Sequence, residues 1–102
     1  MCRKVMISQP MNGRSRDEIL EVKNKAKAYL EDKGFEVVNT FFEEEFEMSN
    51  VKNKRVFYLG KSIEKMAECD AIYLCPDWQK ADGCIAEKII AELYGLEIIL
   101  GH

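Results

Sequence analysis

The feature that most constrains the fold is a short apolar run, Ala71-Ile72-Tyr73-Leu74-Cys75, which follows Asp70. An unbroken apolar run of this length is typical of a central strand in a parallel sheet, because helices cover such a strand on both faces. Three other short apolar runs alternate along the chain with stretches whose apolar residues recur at helical spacing. This alternation predicts right-handed β-α-β crossovers and therefore a parallel sheet.

The pattern predicts four strands and three helices in one domain over residues 1–102. The predicted strands are the apolar runs at residues 4–8, 35–39, 70–75 and 96–100. Ser15 is a predicted N-cap for the first helix, with Glu18 as its capping-box partner. The second helical stripe covers residues 56–67, and the third starts at Gly83. The expected fold class is α/β, with a small, mostly parallel four-stranded sheet.

Residues 40–54 differ from the rest because their apolar residues follow no clear period. The stretch contains Glu43-Glu44-Glu45-Phe46-Glu47, which carries four like charges. We expect a long loop here, and long loops in compact domains often act as lids over functional sites. A solvated acidic face is the alternative. Phe41, Phe42 and Phe46 would tether such a loop to the body of the protein or to a partner subunit.

Charge and composition argue against several functional classes. The chain has 102 residues, a net charge of −3 and a pI of about 5.2, whereas a nucleic-acid-binding domain usually carries a basic face. Its apolar runs are shorter than the roughly 18 residues that a membrane span needs, and shorter than the core of a signal peptide. Four cysteines without Cys-x-x-Cys spacing and a single histidine, His102, predict reduced structural thiols rather than a zinc site. We therefore expect a cytoplasmic protein without a metal or cofactor, which binds neither nucleic acid nor membrane.

The segment between the third strand and the third helix holds the strongest candidate for a working side chain. Gly83 lies where the strand gives way to the helix, and Glu87 follows four residues later. Ligands of open α/β sheets bind at the carboxyl ends of the strands, so Glu87 is the first candidate. A glutamate in the first helical turn is also favoured by the helix dipole alone. Gly83 is expected to supply a positive φ at the turn, or a close approach to a sugar or phosphate.

The same edge of the sheet is expected to gather residues from two loops. The loop after the first strand contributes the candidate contacts Ser8, Gln9, Pro10, Met11 and Gly13. Arg14 follows them as an anion ligand or a plain surface charge, beside a helix N-terminus whose backbone amides suit a phosphate. Asp77 and Trp78 follow the third strand, and the indole suits stacking on a base or packing in a subunit interface. Asp70 precedes that strand at the opposite edge, where a capping or structural role is favoured.

Four short motifs occur in order along the chain. They are Ile7-Ser8-Gln9-Pro10-Met11-Asn12-Gly13, Leu59-Gly60-Lys61-Ser62, Ala67-Glu68-Cys69-Asp70-Ala71 and Gly83-Cys84-Ile85-Ala86-Glu87. In their order and spacing the chain resembles nucleoside 2-deoxyribosyltransferase-like proteins, and a small branch of them most closely, over nearly its whole length. The resemblance implies a flavodoxin-like three-layer sandwich and N-glycosidic bond chemistry on a nucleoside or nucleotide. It also implies a homo-oligomer whose subunits share pocket residues.

The resemblance gives Glu87 the role of a nucleophile that attacks the anomeric carbon of deoxyribose. A carboxylate can form a covalent glycosyl intermediate, and the departing base must then take up a proton. Ser62 occupies the position of the family's acid, and a serine is too weak an acid for this role. The carboxyl groups left for it are those of Asp70, Asp77 and Asp82. The chain also departs from the family pattern at Met6, Gln9 and Ala81. A non-catalytic module that binds a nucleotide or related metabolite is therefore the second hypothesis.

Overall fold

The computed structural model describes residues 3–10, 13–38 and 52–101. Its strands are β1 (Arg3–Ser8), β2 (Phe35–Val38), β3 (Ala71–Leu74) and β4 (Glu97–Leu100). Its helices are α1 (Arg16–Asp32), α2 (Lys54–Met66) and α3 (Asp82–Leu93), and a short 3-10 helix, Trp78–Lys80, lies between β3 and α3. The predicted α/β class and the predicted alternation of strands and helices are confirmed.

The four strands form one sheet in the order β2-β1-β3-β4. Every pair of neighbouring strands is parallel, so the sheet that the sequence predicted as mostly parallel is parallel throughout. Ser8 lies opposite Leu74, which in turn lies opposite Leu100. This register brings the carboxyl ends of β1, β3 and β4 to one edge of the sheet, which is where ligands of open α/β sheets bind.

Helices cover both faces of the sheet and give the molecule three layers. On one face, α1 packs Ala26 into a core that includes Val5 of β1. On the other face, α3 contributes Ala91 and α2 contributes Met66 to a core that includes Met6. Val5 and Met6 point to opposite faces because successive side chains of a strand alternate. The arrangement is compatible with a flavodoxin-like sandwich, as the sequence predicted.

Local hydrogen bonds explain where several elements begin and end. The backbone N–H of Glu18 donates to Ser15 Oγ at 3.2 Å, and the Ser15 hydroxyl donates to Glu18 Oε1 at 3.1 Å, so the predicted cap of α1 is confirmed. Gly34 follows α1 with a φ of 90°, which favours glycine. The backbone N–H of Lys4 donates to Asp70 Oδ2 at 2.8 Å. Asp70 therefore links two strands at the amino edge of the sheet, which is the structural role expected for it.

Two expectations bear on the chain as a whole. No helix in the described part of the chain is both long and apolar enough to cross a membrane. The acidic segment around Phe41 and Phe46, predicted as a loop or lid, lies outside the described residues, and α2 already begins at Lys54.

Candidate functional site

The candidate site is built around a hydrogen bond between β1 and α3. The Ser8 hydroxyl donates to Glu87 Oε1 at 2.6 Å, and the two residues are only 3% and 7% exposed. Strand alternation directs Ser8 to the same face of the sheet as Met6, and that face is covered by α3. Cys84 and Ala91 lie three residues before and four after Glu87 and are also buried, so all three share the inward stripe of the helix.

Burial governs the electrostatics of Glu87. Removal of the carboxylate from water raises the pKa of Glu87 above its ordinary value of 4.5, and hydrogen bonds from Ser8 and Ser62 oppose this rise. Ser62 reaches the carboxyl group from α2 and is half-buried. Because hydroxyl donors stabilise a carboxylate, the two serines form a clamp that favours the charged form inside a largely apolar layer.

The position of Glu87 along α3 argues against the helix dipole as the reason for a glutamate there. The helix begins at Asp82, so Glu87 lies in its second turn. The helix dipole acts mainly within the first turn. Asp82 occupies that first turn and is exposed. The buried carboxylate of Glu87 is therefore held by its two serine partners rather than by the helix terminus.

The expectation of a positive φ at Gly83 was wrong. Gly83 lies inside α3 rather than at the turn before it, because the helix starts one residue earlier than the spacing predicted. A Cβ atom at Gly83 would meet no heavy atom within 4 Å, so the fold itself leaves room for a side chain. The residue that takes the left-handed conformation in this connection is Asp77, with a φ of 71°.

The loop after β1 presents a second buried polar group. Gln9 is 8% exposed, and its Oε1 atom has no hydrogen-bond partner among the described residues. Pro10 is buried beside it, and Gly13 has a φ of 75°. Met11, which was expected to border the same pocket, lies outside the described residues. Buried acceptors normally have a hydrogen-bond donor as partner. Gln9 Oε1 is therefore the described side-chain atom at which a donor from a ligand is most expected.

Trp78 packs partly within its own chain, and the two roles expected for it, stacking on a base or packing in a subunit interface, stay predictions. It lies in the 3-10 helix after β3 and packs, partly buried, against the core on the α3 face. The Lys88 ammonium lies over its ring, 5.6 Å from the ring centroid. The indole thus anchors the connection between β3 and α3 to the body of its own chain.

The three cysteines in the described part of the chain do not supply a reactive thiolate. Burial raises the pKa of Cys75 to about 12 and that of Cys84 to about 11, although Cys84 lies close to both Ser8 and Glu87. Burial also raises the pKa of Cys69 to about 11. Because a thiolate is the nucleophilic and metal-binding form, these thiols are inert at neutral pH. Within the described ranges, no group of three or more His, Cys, Asp and Glu side chains could hold a metal ion.

The structure separates residues that the sequence had placed in one site. Arg14 and Asp77 line a groove of about 360 Å³ between α1 and the carboxyl edge of β3 and β4, on the face opposite to Ser8 and Glu87. The Arg14 guanidinium lies 3.5 Å from Asp77 Oδ2. The carboxyl edge therefore carries a buried carboxylate site on the α3 face and a charged groove on the α1 face.

Sequence reasoning missed the other residues of this groove. Lys25 and Tyr29 line it from α1, and Tyr73 lines it from β3. The signal was present in the spacing, because Val22, Lys25 and Tyr29 lie three and four residues apart and so share one face of the helix. A lysine in an amphipathic helix is normally predicted to be solvent-exposed, so the sequence did not indicate that Lys25 lies at the rim of the groove.

Over residues 3–100 the chain matches a family described as a domain of unknown function, DUF4406. The match covers nearly all of the 102 residues, so the chain belongs to this family. No match was found among curated proteins or among solved structures.

Proposed function

We propose that this member of the DUF4406 family binds a nucleoside or nucleotide at the carboxyl edge of its sheet and cleaves the N-glycosidic bond with Glu87. The observation that carries the proposal is the buried Glu87 carboxylate, which Ser8 holds at 2.6 Å and Ser62 also contacts. A buried carboxylate is costly unless it is paired, and its pKa is perturbed, as is typical of functional sites. The resemblance to nucleoside 2-deoxyribosyltransferase-like proteins supplies the reaction class.

The proposed reaction has two displacement steps. In the first step a carboxylate oxygen of Glu87 attacks the anomeric carbon of the sugar, while Ser8 donates to Oε1 of the same carboxylate. A carbon–oxygen bond forms to Glu87 while the carbon–nitrogen bond to the base breaks, and the base leaves with the bonding electrons and takes up a proton. Water or a second base then displaces Glu87 and restores its carboxylate. The Ser8 hydrogen bond makes Glu87 a better leaving group in this second step.

The proton for the departing base comes from a group other than the serine clamp. Of the three aspartates considered, Asp70 lies at the amino edge of the sheet and accepts from Lys4, far from the proposed site. Asp77 lies in the groove on the α1 face and contacts both Arg14 and Lys80. Asp82 remains, as the exposed first residue of α3, and it is the candidate proton donor, with solvent as the alternative source.

A non-catalytic binding module is the second candidate function. The observation that favours it is that both hydrogen-bond partners of Glu87 are serines, neither of which is an acid of useful strength. In this case Glu87 and the unpaired acceptor of Gln9 would both accept hydrogen bonds from ligand hydroxyl or amino groups. The bound molecule would be the same nucleoside or nucleotide, released unchanged.

The proposal includes a cytoplasmic homo-oligomer, in keeping with the resemblance. Apolar side chains stand exposed on α2 and α3, including Val56, Ile89 and Leu93, which is 73% exposed. A contiguous exposed apolar patch is a common mark of a subunit interface, and α2 and α3 lie side by side. Sedimentation velocity should therefore give a mass that is a multiple of 11.8 kDa, and Leu93→Glu should lower it. A wild-type protein that stays monomeric at micromolar concentration would remove this part of the proposal.

The test of the proposed function is release of free base. The protein is incubated with deoxynucleosides and their 5′-monophosphates, and free base is quantified by liquid chromatography. We expect release by the wild type, loss of release in Glu87→Ala and Glu87→Gln, and full release in Glu92→Gln, an exposed glutamate on the same helix. Binding of a nucleotide without release, in wild type and variants alike, would instead support the binding module.

A further inference from the structure

The groove on the α1 face has the size and shape of a small-molecule site. Its volume of about 360 Å³ falls within the range of ligand pockets, near the lower end. Val22 and Ala26 form part of its apolar wall, and the rings of Tyr29 and Tyr73 stand together with centroids 6.0 Å apart. At this distance the two rings contact each other and form one continuous aromatic wall, against which a flat ring can pack.

The charges at the rim of the groove favour an anion. Arg14, Lys25 and Lys80 supply three positive charges at or beside the rim, against two negative charges from Asp77 and from Glu21, which lies 3.2 Å from the Lys25 ammonium. The rim thus keeps one net positive charge in a chain whose net charge is −3. Asp77 already has Lys80 at 3.7 Å as well as Arg14, so its negative charge is compensated twice. A local positive potential on an acidic protein selects ligands of negative charge.

The Asp77 carboxylate occupies the position next to Arg14 that a bound anion would take. Its carboxylate lies 3.5 Å from the Arg14 guanidinium, which is longer than a well-formed charged hydrogen bond. It also has a φ of 71°, a backbone conformation that is uncommon outside glycine and often marks ligand clamps. A ligand carboxylate able to reach Arg14 at a normal distance would replace this contact with a stronger one.

The inner end of the groove is set by a tight contact. A Cβ atom on Gly101 would lie 2.5 Å from the Tyr73 hydroxyl and 2.9 Å from the carbonyl oxygen of Leu74. Gly101 thus lets the Tyr73 side chain lie against the end of β4. This packing holds the Tyr73 ring in place at the inner end of the groove.

From these observations we propose that the groove is a second binding site, distinct from the Glu87 site, for a small planar aromatic carboxylate. Its ring lies against Tyr29 and Tyr73, and its carboxylate contacts Arg14. The inference stands apart from the proposed function, because the groove and Glu87 lie on opposite faces of the sheet.

The probe for this site is 1-naphthoate, with 1-naphthamide and 1-naphthylmethylamine as neutral and cationic comparisons. Affinity is measured by isothermal titration calorimetry, and the site is mapped by amide chemical shifts in NMR. We expect the carboxylate to bind more tightly than the amide, the amine not to bind, and the shifts to concentrate at the groove. Equal affinity for all three probes, no binding of 1-naphthoate, or shifts centred on Ser8 and Glu87 would overturn the proposal.

Three substitutions distinguish the loss of direct contacts to 1-naphthoate from a general disturbance of the fold. Arg14→Gln should weaken 1-naphthoate about tenfold, because a hydrogen bond between charged groups is lost. Asp77→Asn should tighten it about two- to fivefold, because a competing surface charge is removed while asparagine tolerates the left-handed backbone. Val22→Phe, which fills the groove, should abolish binding and leave release of base unchanged. Asp32→Asn, at the exposed end of α1, is the matched control and should have no effect.

Two outcomes would overturn the proposed groove site even if 1-naphthoate binds to the protein. If Asp77→Asn weakens 1-naphthoate as Arg14→Gln does, the two residues act together in structure and not as competitor and ligand contact. If Val22→Phe instead changes the oligomeric state, the groove is a contact between copies of the chain. Since Glu87→Gln is expected to leave 1-naphthoate binding unchanged, failure of this proposal and failure of the glycosidic reaction are distinguishable.

Discussion

Replacement of Ser8 by alanine tests the clamp around Glu87. Ser8 is buried, and its hydroxyl donates to Glu87 Oε1 at 2.6 Å, a short distance typical of a hydrogen bond to a charged acceptor. Its removal leaves a buried carboxylate with one donor fewer. Hydrogen bonds to charged groups contribute about 1.5–3 kcal/mol, so Ser8→Ala should lower the free energy of unfolding by that amount at pH 8. In a domain of about this size each kcal/mol lowers Tm by about 4–8 °C.

The pH dependence follows from the pKa of Glu87. The Ser8 hydrogen bond lowers this pKa against the larger effect of burial, so its loss raises the folded-state pKa further above 4.5. A group whose pKa is raised on folding contributes stability below its unfolded pKa and loses that contribution as pH rises through the folded value. The cost of Ser8→Ala should therefore be largest above the raised folded-state pKa of Glu87 and shrink as pH falls through that pKa, towards about 0.5–1.5 kcal/mol, the range of a neutral hydrogen bond.

A double-mutant cycle isolates the interaction. Ser8→Ala, Glu87→Gln and the double variant are unfolded with urea at pH 8, and Ser15→Ala serves as a serine control on the α1 cap. In the Glu87→Gln background, Ser8→Ala should cost about 1 kcal/mol less than in the wild type, because the charged acceptor is gone. Equal costs in the two backgrounds, or a cost that rises at acid pH, would refute the reasoning.

Three further predictions concern stability. Glu87→Gln should stabilise the protein increasingly as pH rises above 4.5, since burial raises the pKa of Glu87 and its ionisation therefore costs stability; thermal unfolding across pH checks this, and a constant difference contradicts it. Gly101→Ala should destabilise by about 1–3 kcal/mol, because its Cβ would lie 2.5 Å from the Tyr73 hydroxyl; urea unfolding measures the loss, and an unchanged midpoint would show that Tyr73 moves freely. Asp70→Ala should cost about 1 kcal/mol through loss of the bond to the Lys4 N–H, with faster hydrogen exchange at that amide as the specific readout.

The parts of the fold that depend on local chemistry could be predicted from the sequence. The strand at Ala71–Leu74 was recognisable because a run buried on both faces has no polar alternation. Ser15 was recognisable as a cap because its partner Glu18 lies three residues on. The place of Glu87 followed from topology, since parallel strands direct their carboxyl ends to one edge.

The division of the predicted site between two faces could not be read from the sequence. Ser8 ends a strand, so alternation alone assigns it to the α3 face. Arg14 and Asp77 lie in loops, where no period relates a residue number to a direction. The sequence also did not predict the 3-10 helix before α3, which Trp78 anchors to the core. Such an anchor depends on tertiary packing and leaves no local pattern.

The central claim is that Glu87 forms a covalent bond to the sugar during turnover. The most direct measurement is acid quenching during turnover of a deoxynucleoside or its 5′-monophosphate, followed by peptide mapping of α3 by mass spectrometry. We expect a deoxyribosyl or deoxyribosyl-phosphate adduct on Glu87, absent in Glu87→Gln and present in Glu92→Gln. An adduct on another residue, or base release that survives in Glu87→Gln, would contradict it.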